Sequence, residues 1–441
     1  METQLMLAPT RRLSVLHIFN DCYPDLFGGA LPVIRDICAG LTDAFTSCVL
    51  VCSRSAGQRR IVVNGVTVER VRSFGDICSL PAAPTYPLRL WRQVADHDLL
   101  VLHAPFPLAD LMFALGLGRD RALVVHYHAD IVSHAGLRWL VELLMRRTLR
   151  RADAIIVSDT VLLHGSPLLR EFADKCHVVP FGVDVSKYDW PSRRADDDDA
   201  EHERRRLVLA CGQLVPYKGF DALVRAAVGQ RFEVWIVGEG PERARLERMI
   251  RSLGVEDRVR LLGSAPHAKL AKFMCTADVF VLPSVTNAET FGIAQLEAMA
   301  AGRPIINTSL DTAVPRVARD GIEAITVPPG NHARLAEAIE TLFRNPERRR
   351  RMGHAARHRA TTQYSADAFR KGIEAVYCHA VTAKASSPAV RTSRPGTIGW
   401  LGAIKIAAAL AWSEVRHQSA RCWIRSGCRS RWRSWLRCLG P

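Results

Sequence analysis

Through the first 380 residues, short apolar runs bounded by turn-forming residues alternate with stretches of helical periodicity. Residues 13–19 read as a first strand, and residues 31–41 space their apolar side chains as a helix does. Residues 49–52 read as a second strand, and 62–71 as a hairpin turning at Asn64-Gly65. The runs 99–103 and 123–127 are of the fully apolar kind that parallel sheets cover on both faces. A basic amphipathic helix over 137–149 and another buried strand over 154–157 follow. Strands alternating with helices in this way predict a doubly wound α/β domain.

The texture changes after Val183. The stretch Trp190-Pro191-Ser192-Arg193-Arg194-Ala195-Asp196-Asp197-Asp198-Asp199 is polar and charged, and reads as a linker. A second α/β series begins at 207–210 and continues through 234–237, 259–262, 279–282, 304–307 and 324–327. Near Ser365-Ala366-Asp367 a final helix starts, with a Ser or Asp cap, and runs to about Ala380. The expected organisation is a Rossmann-like domain over 1–184, a linker over 185–206, a second Rossmann-like domain over 207–362, a helix over 363–380 and a tail over 381–441. Two such domains face each other across a cleft at the carboxyl ends of their strands.

A chain of 441 residues is too long for one ordinary core, which agrees with two domains. The first apolar run is short and mixed, so no secretory signal is expected. The longest apolar stretch, 398–412, is broken by Lys405 and is too short to span a membrane. Twelve cysteines are scattered without a CxxC pair, so they read as reduced thiols in a cytoplasmic protein. Net charge is +16, but from Ala380 onward eleven basic residues face one acid, Glu414, leaving +6 for the rest. With the tail set aside and no nucleic-acid motif present, nucleic-acid binding is not expected. Five of the nine tryptophans lie in that tail among arginines. The tail reads either as a segment for an anionic membrane interface or as an extension unrelated to the fold.

The segment Glu289-Thr290-Phe291-Gly292-Ile293-Ala294-Gln295-Leu296-Glu297 carries the most chemistry. It joins the strand-like 279–284 to a helix ending near Gly302-Arg303-Pro304, with one acid at the helix entrance and another two turns inside. A helix entrance offers unpaired N–H groups and partial positive charge to a diphosphate. If most of the interval is helical, the two acids stand about 12 Å apart. Glycosidase carboxylate pairs sit below about 10 Å, so these residues read as two clamps on one extended ligand. Lys218, within Gly212-Gln213-Leu214-Val215-Pro216-Tyr217-Lys218-Gly219, is a compact cation suited to diphosphate oxygens. Gly28-Gly29 precedes the first helix and Gly238-Glu239-Gly240-Pro241 ends a later strand; both allow close backbone approach. His126-Tyr127-His128-Ala129-Asp130 closes the fourth strand, with both histidines on one face. That pair suggests a metal, but no further ligand cluster accompanies it, and a buried strand-end histidine is the alternative.

Together these ordered motifs resemble the retaining GT-B glycosyltransferases of family 4, over roughly residues 13–380, and most closely members that use GDP-mannose or similar donors. The resemblance implies a GT-B fold, two doubly wound Rossmann-like domains facing a cleft, with the helix after Ser365 crossing back to the first. It implies transfer of a sugar from a nucleotide diphosphate to a hydroxyl with retention, on a glycan or polyprenyl-linked acceptor in surface polysaccharide synthesis. Lys218, Glu289 and His128 are then the catalytic residues. Gly28, Gly29, Gln213, Lys218, Gly238, Glu239, Gly263, Glu289, Thr290, Phe291, Gly292 and Glu297 line the donor, with Glu289 on the sugar and Glu297 on the ribose. His128 and Asp130 match the family's His-x-Asp element beside the sugar. No metal or other cofactor is implied. The expected location is the cytoplasm, with peripheral contact at the inner face of the cell membrane as the option that the tail raises. Where the family usually carries arginine beside Lys218, this chain has Gln213, which removes one positive charge from the phosphate site. A nucleotide-sugar epimerase on the same fold and a binding protein without turnover are the alternatives.

Overall fold

The apolar runs assemble into two largely parallel sheets. The computed structural model describes residues 12–20, 31–54, 59–63, 65–77, 80–130, 138–189 and 206–386. In the first sheet, β1 (Leu13–Ile18) lies in the middle. On one side come β2 (Phe45–Ser53), then β4 (Val66–Arg72) and β3 (Arg60–Val63), whose antiparallel pairing makes the hairpin expected there. On the other side come β7 (Leu99–Ala104), β8 (Ala122–Tyr127), β9 (Ala154–Val157) and β10 (Cys176–Val178). A two-stranded pair, β5 (Asp76–Ile77) and β6 (Leu80–Pro81), stands apart. The strand bearing His126 is therefore sixth in chain order in its sheet rather than fourth, because the hairpin adds two.

The second sheet is parallel throughout. Its strands are β11 (Leu207–Cys211), β12 (Glu233–Val237), β13 (Val259–Leu261), β14 (Val279–Val281), β15 (Ile305–Thr308) and β16 (Ala324–Val327), in the order β13-β12-β11-β14-β15-β16. In both sheets the chain starts centrally, builds outward one way, then returns to build the other. Strand order thus reverses beside β1 and beside β11, where the carboxyl ends of the strands open a crevice. Every residue of β7, β8, β11 and β14 is buried, as helical cover on both faces requires.

The two sheets share one core. A continuous apolar cluster runs from Val15, Val101 and Val124 through Phe181 and Tyr377 to Leu209, Phe280 and Leu296. The chain is also stitched where it passes between sheets: Val183 N–H donates to the Tyr364 carbonyl at 2.8 Å, and Ala366 N–H donates to the Val183 carbonyl at 3.0 Å. The helix that follows, Ala366–Ser386, packs on β8 and β9 of the first sheet. It extends past the expected end at Ala380, since Val381 to Ala385 contain no breaker and Lys384 Nζ reaches within 3.9 Å of Asp153 Oδ1. Of the linker expected over 185–206, residues 190–205 lie outside the described residues, as does the tail from 387 onward.

Tyr377 anchors this helix. It is fully buried, meets the Phe45 ring edge-on with centroids 5.8 Å apart, and its hydroxyl lies 3.2 Å from His126 Nε2. Tyr377→Ala is expected to destabilise the fold by about 3–5 kcal/mol, as buried aromatic truncations do. Tyr377→Phe, which loses only the hydrogen bond, should cost about 1 kcal/mol. Thermal unfolding followed by circular dichroism measures both, and equal losses would show that packing of the ring is not what holds the helix.

Candidate active site

Three glycines bring the carboxyl ends of β11, β12 and β13 side by side. Gly212 N–H donates to the Val237 carbonyl at 3.0 Å and Gly238 N–H to the Gly263 carbonyl at 2.8 Å. Gly238 has φ +149, and a Cβ there would stand 1.9 Å from the Gly212 carbonyl oxygen. No other residue fits this backbone contact. Gln213 follows the first of these glycines and is exposed. Glu239 is held by Arg243, Nη1 to Oε1 at 2.6 Å, and a Cβ on Gly263 would lie 3.0 Å from the same Oε1.

Lys218 closes the short 3-10 turn Pro216–Lys218, and Gly219 follows in the left-handed region at φ +66. Its Nζ lies 2.5 Å from Glu289 Oε2, which also accepts a hydrogen bond from Ser284 Oγ at 2.8 Å. Burial works against the charged ammonium, but the Glu289 carboxylate outweighs it and raises the Lys218 pKa above the usual lysine value. Thr290 lends its carbonyl to Ala313 N–H at 3.0 Å, and Phe291 is buried. Gly292, at φ +76, caps the helix Ile293–Ala300, where a Cβ would meet Leu282 Cδ2 at 2.6 Å. Because the helix starts only at Ile293, Glu297 stands one turn inside it rather than two.

Glu297 has a setting separate from the Lys218–Glu289 pair. His267 Nε2 lies 3.4 Å from its Oε1, and burial together with the adjacent Glu297 carboxylate pushes the Tyr188 phenol far above its usual range. These three residues line a small open pocket, to which Arg35 and Asp36 contribute from the first sheet's side. Cys211, at the end of β11, lies between the two settings: burial first, then Glu297 and Glu289, raise its thiol pKa while Lys218 opposes them.

Facing this half is a row of imidazoles at the carboxyl edge of the first sheet. His17 of β1, His103 of β7 and His126 of β8 are buried, and His128 just beyond β8 is half-buried. His17 Nδ1 lies 3.2 Å from His103 Nε2, and His103 Nδ1 lies 3.0 Å from His128 Nε2. Burial lowers the pKa of His17 to about 3 and of His128 to about 4, and drives His103 and His126 well below the usual range. All four are neutral at pH 7. Asp130 Oδ1 accepts hydrogen bonds from Tyr127 Oη at 2.5 Å and Ser166 Oγ at 2.7 Å, so that oxygen is tied to the first domain. Phe181 bridges the halves, stacking on His128 with centroids 6.2 Å apart and meeting Phe291 edge-on at 5.0 Å.

The structure thus gathers Lys218 with Glu289, gathers Gly212, Gln213, Gly238, Glu239 and Gly263 at the neighbouring turns, and sets His128 opposite. Gly28 and Gly29 lie outside the described residues. His17, His103, Tyr188 and His267 were not singled out by sequence reasoning. The signal for the first two is a histidine near the end of an otherwise apolar strand. Among the described residues, His103, His126 and His128 offer nitrogens within 4.8 Å of one another, a ligand set of the type zinc prefers. His103 already spends both nitrogens on neighbouring imidazoles, so an ion would displace one of these hydrogen bonds.

Comparison with known proteins adds the following. Residues 28–182 match the family described as "Glycosyl transferase 4-like domain", and residues 192–359 match "Glycosyl transferases group 1". The chain is 29% identical over 362 residues to an O-antigen chain mannosyltransferase C of Escherichia coli, covering 80% of this chain and 95% of that one. It is 28% identical over 383 residues to the D-rhamnosyltransferase WbpZ of Pseudomonas aeruginosa, covering 87% and 100%. Among solved structures, a sucrose-phosphate synthase from Thermosynechococcus elongatus superposes with a TM-score of 0.72 at 20% identity, covering 84% of this chain and 100% of that one. At that identity the likeness speaks to the fold, the GT-B arrangement of two facing α/β domains.

The Lys218–Glu289 pair has a direct test. In Glu289→Gln the carboxylate that sustains the charge is gone and burial remains, so the Lys218 pKa should drop, making the group about tenfold or more stronger as an acid. NMR titration of the Lys218 side chain measures this; an unchanged pKa would show that the two groups are not paired in solution.

Proposed function

We propose that this chain, which belongs to the group 1 glycosyltransferases and has their GT-B fold, transfers mannose with retention from GDP-mannose to a hydroxyl of a glycan or polyprenyl-linked acceptor in surface polysaccharide synthesis. The observation that carries the reading is the buried Lys218–Glu289 pair at the carboxyl edge of the second sheet. An ammonium has three N–H groups, so Lys218 keeps two for the donor diphosphate while one stays on Glu289. Glu289, fixed by Lys218 and Ser284, presents its other oxygen to sugar hydroxyls. Backbone N–H groups around Phe291 and Gly292 add charge stabilisation on the leaving diphosphate. Glu297 takes the ribose from its cavity with Tyr188 and His267, and Gly212, Gly238 and Gly263 let the nucleotide lie close to the backbone. His128 meets the sugar from the opposite side.

The bond from the anomeric carbon to the diphosphate oxygen breaks, and the acceptor oxygen bonds to the same face of that carbon. The acceptor proton passes to the departing diphosphate. Positioning and electrostatic stabilisation therefore supply the catalysis. No resident metal takes part, since Lys218 and the helix entrance do the work on the phosphates. The mannosyl and D-rhamnosyl relatives support a donor of this sugar class. The enzyme works in the cytoplasm at the inner face of the membrane. Trp139, 66% exposed on the helix Arg138–Arg151, and the exposed Arg147 and Arg150 of that helix suit contact with an anionic surface.

Gln213 favours a second reading, a protein that binds the donor without turnover, and one assay separates the two. Nucleotide release is measured across GDP- and UDP-sugars with a polyprenyl-linked acceptor. Turnover of GDP-mannose is expected, reduced about 100-fold or more in Glu289→Ala, the scale of a lost transition-state contact. Release from no donor, with or without acceptor, would sink the transferase reading. Prior dialysis against EDTA should leave the rate unchanged; loss restored by a divalent ion would show that a metal is needed. Gln213→Arg restores the missing cation and should tighten GDP binding about tenfold by calorimetry, one charge-assisted hydrogen bond's worth.

A further inference from the structure

Among the described residues the buried His17 Nε2 has no partner, and this fixes the proton positions along the chain His17, His103 and His128. His17, His103 and His128 are neutral, so each ring carries one N–H and one bare nitrogen. The two contacts, 3.2 Å from His17 Nδ1 to His103 Nε2 and 3.0 Å from His103 Nδ1 to His128 Nε2, are hydrogen bonds only if every proton points the same way along the chain. Two arrangements satisfy that. If the protons run from His128 inward, His17 ends the chain with an N–H at Nε2. That atom is buried and has no partner among the described residues. If they run outward, His17 Nε2 is a bare lone pair, and the last proton sits on His128 Nδ1. Orphaned buried N–H groups are the rarer and costlier of the two states, so the outward arrangement prevails.

We infer that His17 and His103 are positioning residues which hold His128 as a neutral Nδ1–H donor at the cleft. The inference rests on His128 being the group that meets the donor sugar, as proposed above, and adds what it can do there. With Nε2 occupied by His103, His128 can donate a hydrogen bond to a sugar hydroxyl but cannot remove a proton from the acceptor. That division of labour leaves the departing diphosphate as the proton's destination. It also accounts for histidines in β1 and β7, where the flanking strand positions Leu16, Ile18, Leu102 and Ala104 are buried and apolar and a leucine would pack without needing a partner. His103 is also the direct lateral partner of His126 across β7 and β8, so the sheet register sets the spacing of the row.

The test is the tautomer itself. In the full chain labelled with [15N]histidine, two-bond proton–nitrogen correlation spectra at pH 7 report which nitrogen of each ring is protonated, and His128→Gln identifies the His128 signals. The expected result is a protonated Nδ1 and a bare Nε2 on His128. His103→Asn keeps an amide N–H near the place of Nδ1 and should preserve this form. His103→Leu should release His128 to the Nε2–H form that free histidine favours, and lower kcat about tenfold with little change in KM for the donor. An Nε2–H His128 in the unaltered protein would overturn the inference, as would a spectrum unchanged in His103→Leu. The spectrum of the unaltered protein decides the point even if a variant does not fold. Failure of the transferase reading would appear separately, as absence of turnover in the unaltered protein with the tautomers as expected.

Discussion

The contact on which the site depends is that of Phe181 with His128 on one side and Phe291 on the other. Its ring lies nearly parallel to the His128 imidazole, 13° between planes, and nearly perpendicular to Phe291, at 84°. Phe291 belongs to the loop that aims Glu289, and His128 ends a strand of the opposite sheet. One side chain therefore packs between the two walls, and in the proposed reaction it sets the separation between Glu289 and His128 across the sugar. The backbone around Phe181 is in turn fixed by the Val183–Tyr364 and Ala366–Val183 hydrogen bonds, which tie the passage between domains to the start of the last helix. Catalysis by positioning tolerates little slack, and in the proposed reaction a packed aromatic bridge is the physical means by which the two sheets act on one bond.

The two halves divide the electrostatics. The first sheet's edge holds neutral imidazoles, whose protonation burial opposes, and the second holds an ammonium whose charge a carboxylate sustains. In the proposed reaction a charged histidine at His128 would compete with Lys218 for the diphosphate, and a neutral wall leaves one place for the negative charge to go. The arrangement also explains how a cleft can tolerate Gln213: the remaining cation is pre-aimed by Glu289 and does not swing into solvent.

Much of the fold was legible because buried parallel strands must be apolar throughout, and each such run became a strand of one of the two sheets. The loop from Glu289 to Gly292 stood out through its resemblance to the family's motif, Gly292 and Gly302-Arg303-Pro304 included, since two acids at this spacing are on their own more often a helix-entrance acid and a solvated one. The turn count to Glu297 was misjudged for a local reason: Gly292 adopts a left-handed conformation and delays the helix to Ile293. The final helix was cut short because nothing in a propensity reading marks Lys384 as packed near Asp153. His17 and His103 escaped notice because a single histidine in an apolar strand is an ordinary sight. Only the strand order, which sets β1 beside β7 and β7 beside β8, turns three ordinary histidines into a chain.

That chain bears on why the row lies where it does. Polar groups inside a sheet are costly unless each finds a partner, and the cost grows with every member added. A row of imidazoles is stable only when its protons are ordered, and ordering them requires one end to be chemically different from the other. Here the buried end is different because His17 Nε2 meets no partner among the described residues, and in the proposed reaction the cleft end differs because a ligand's oxygen takes the place of the next ring. The energetic imperfection at His17 is therefore not idle. It breaks the symmetry of the row, and the asymmetry is delivered, two hydrogen bonds away, as a fixed donor at the cleft edge where the proposed reaction holds the sugar.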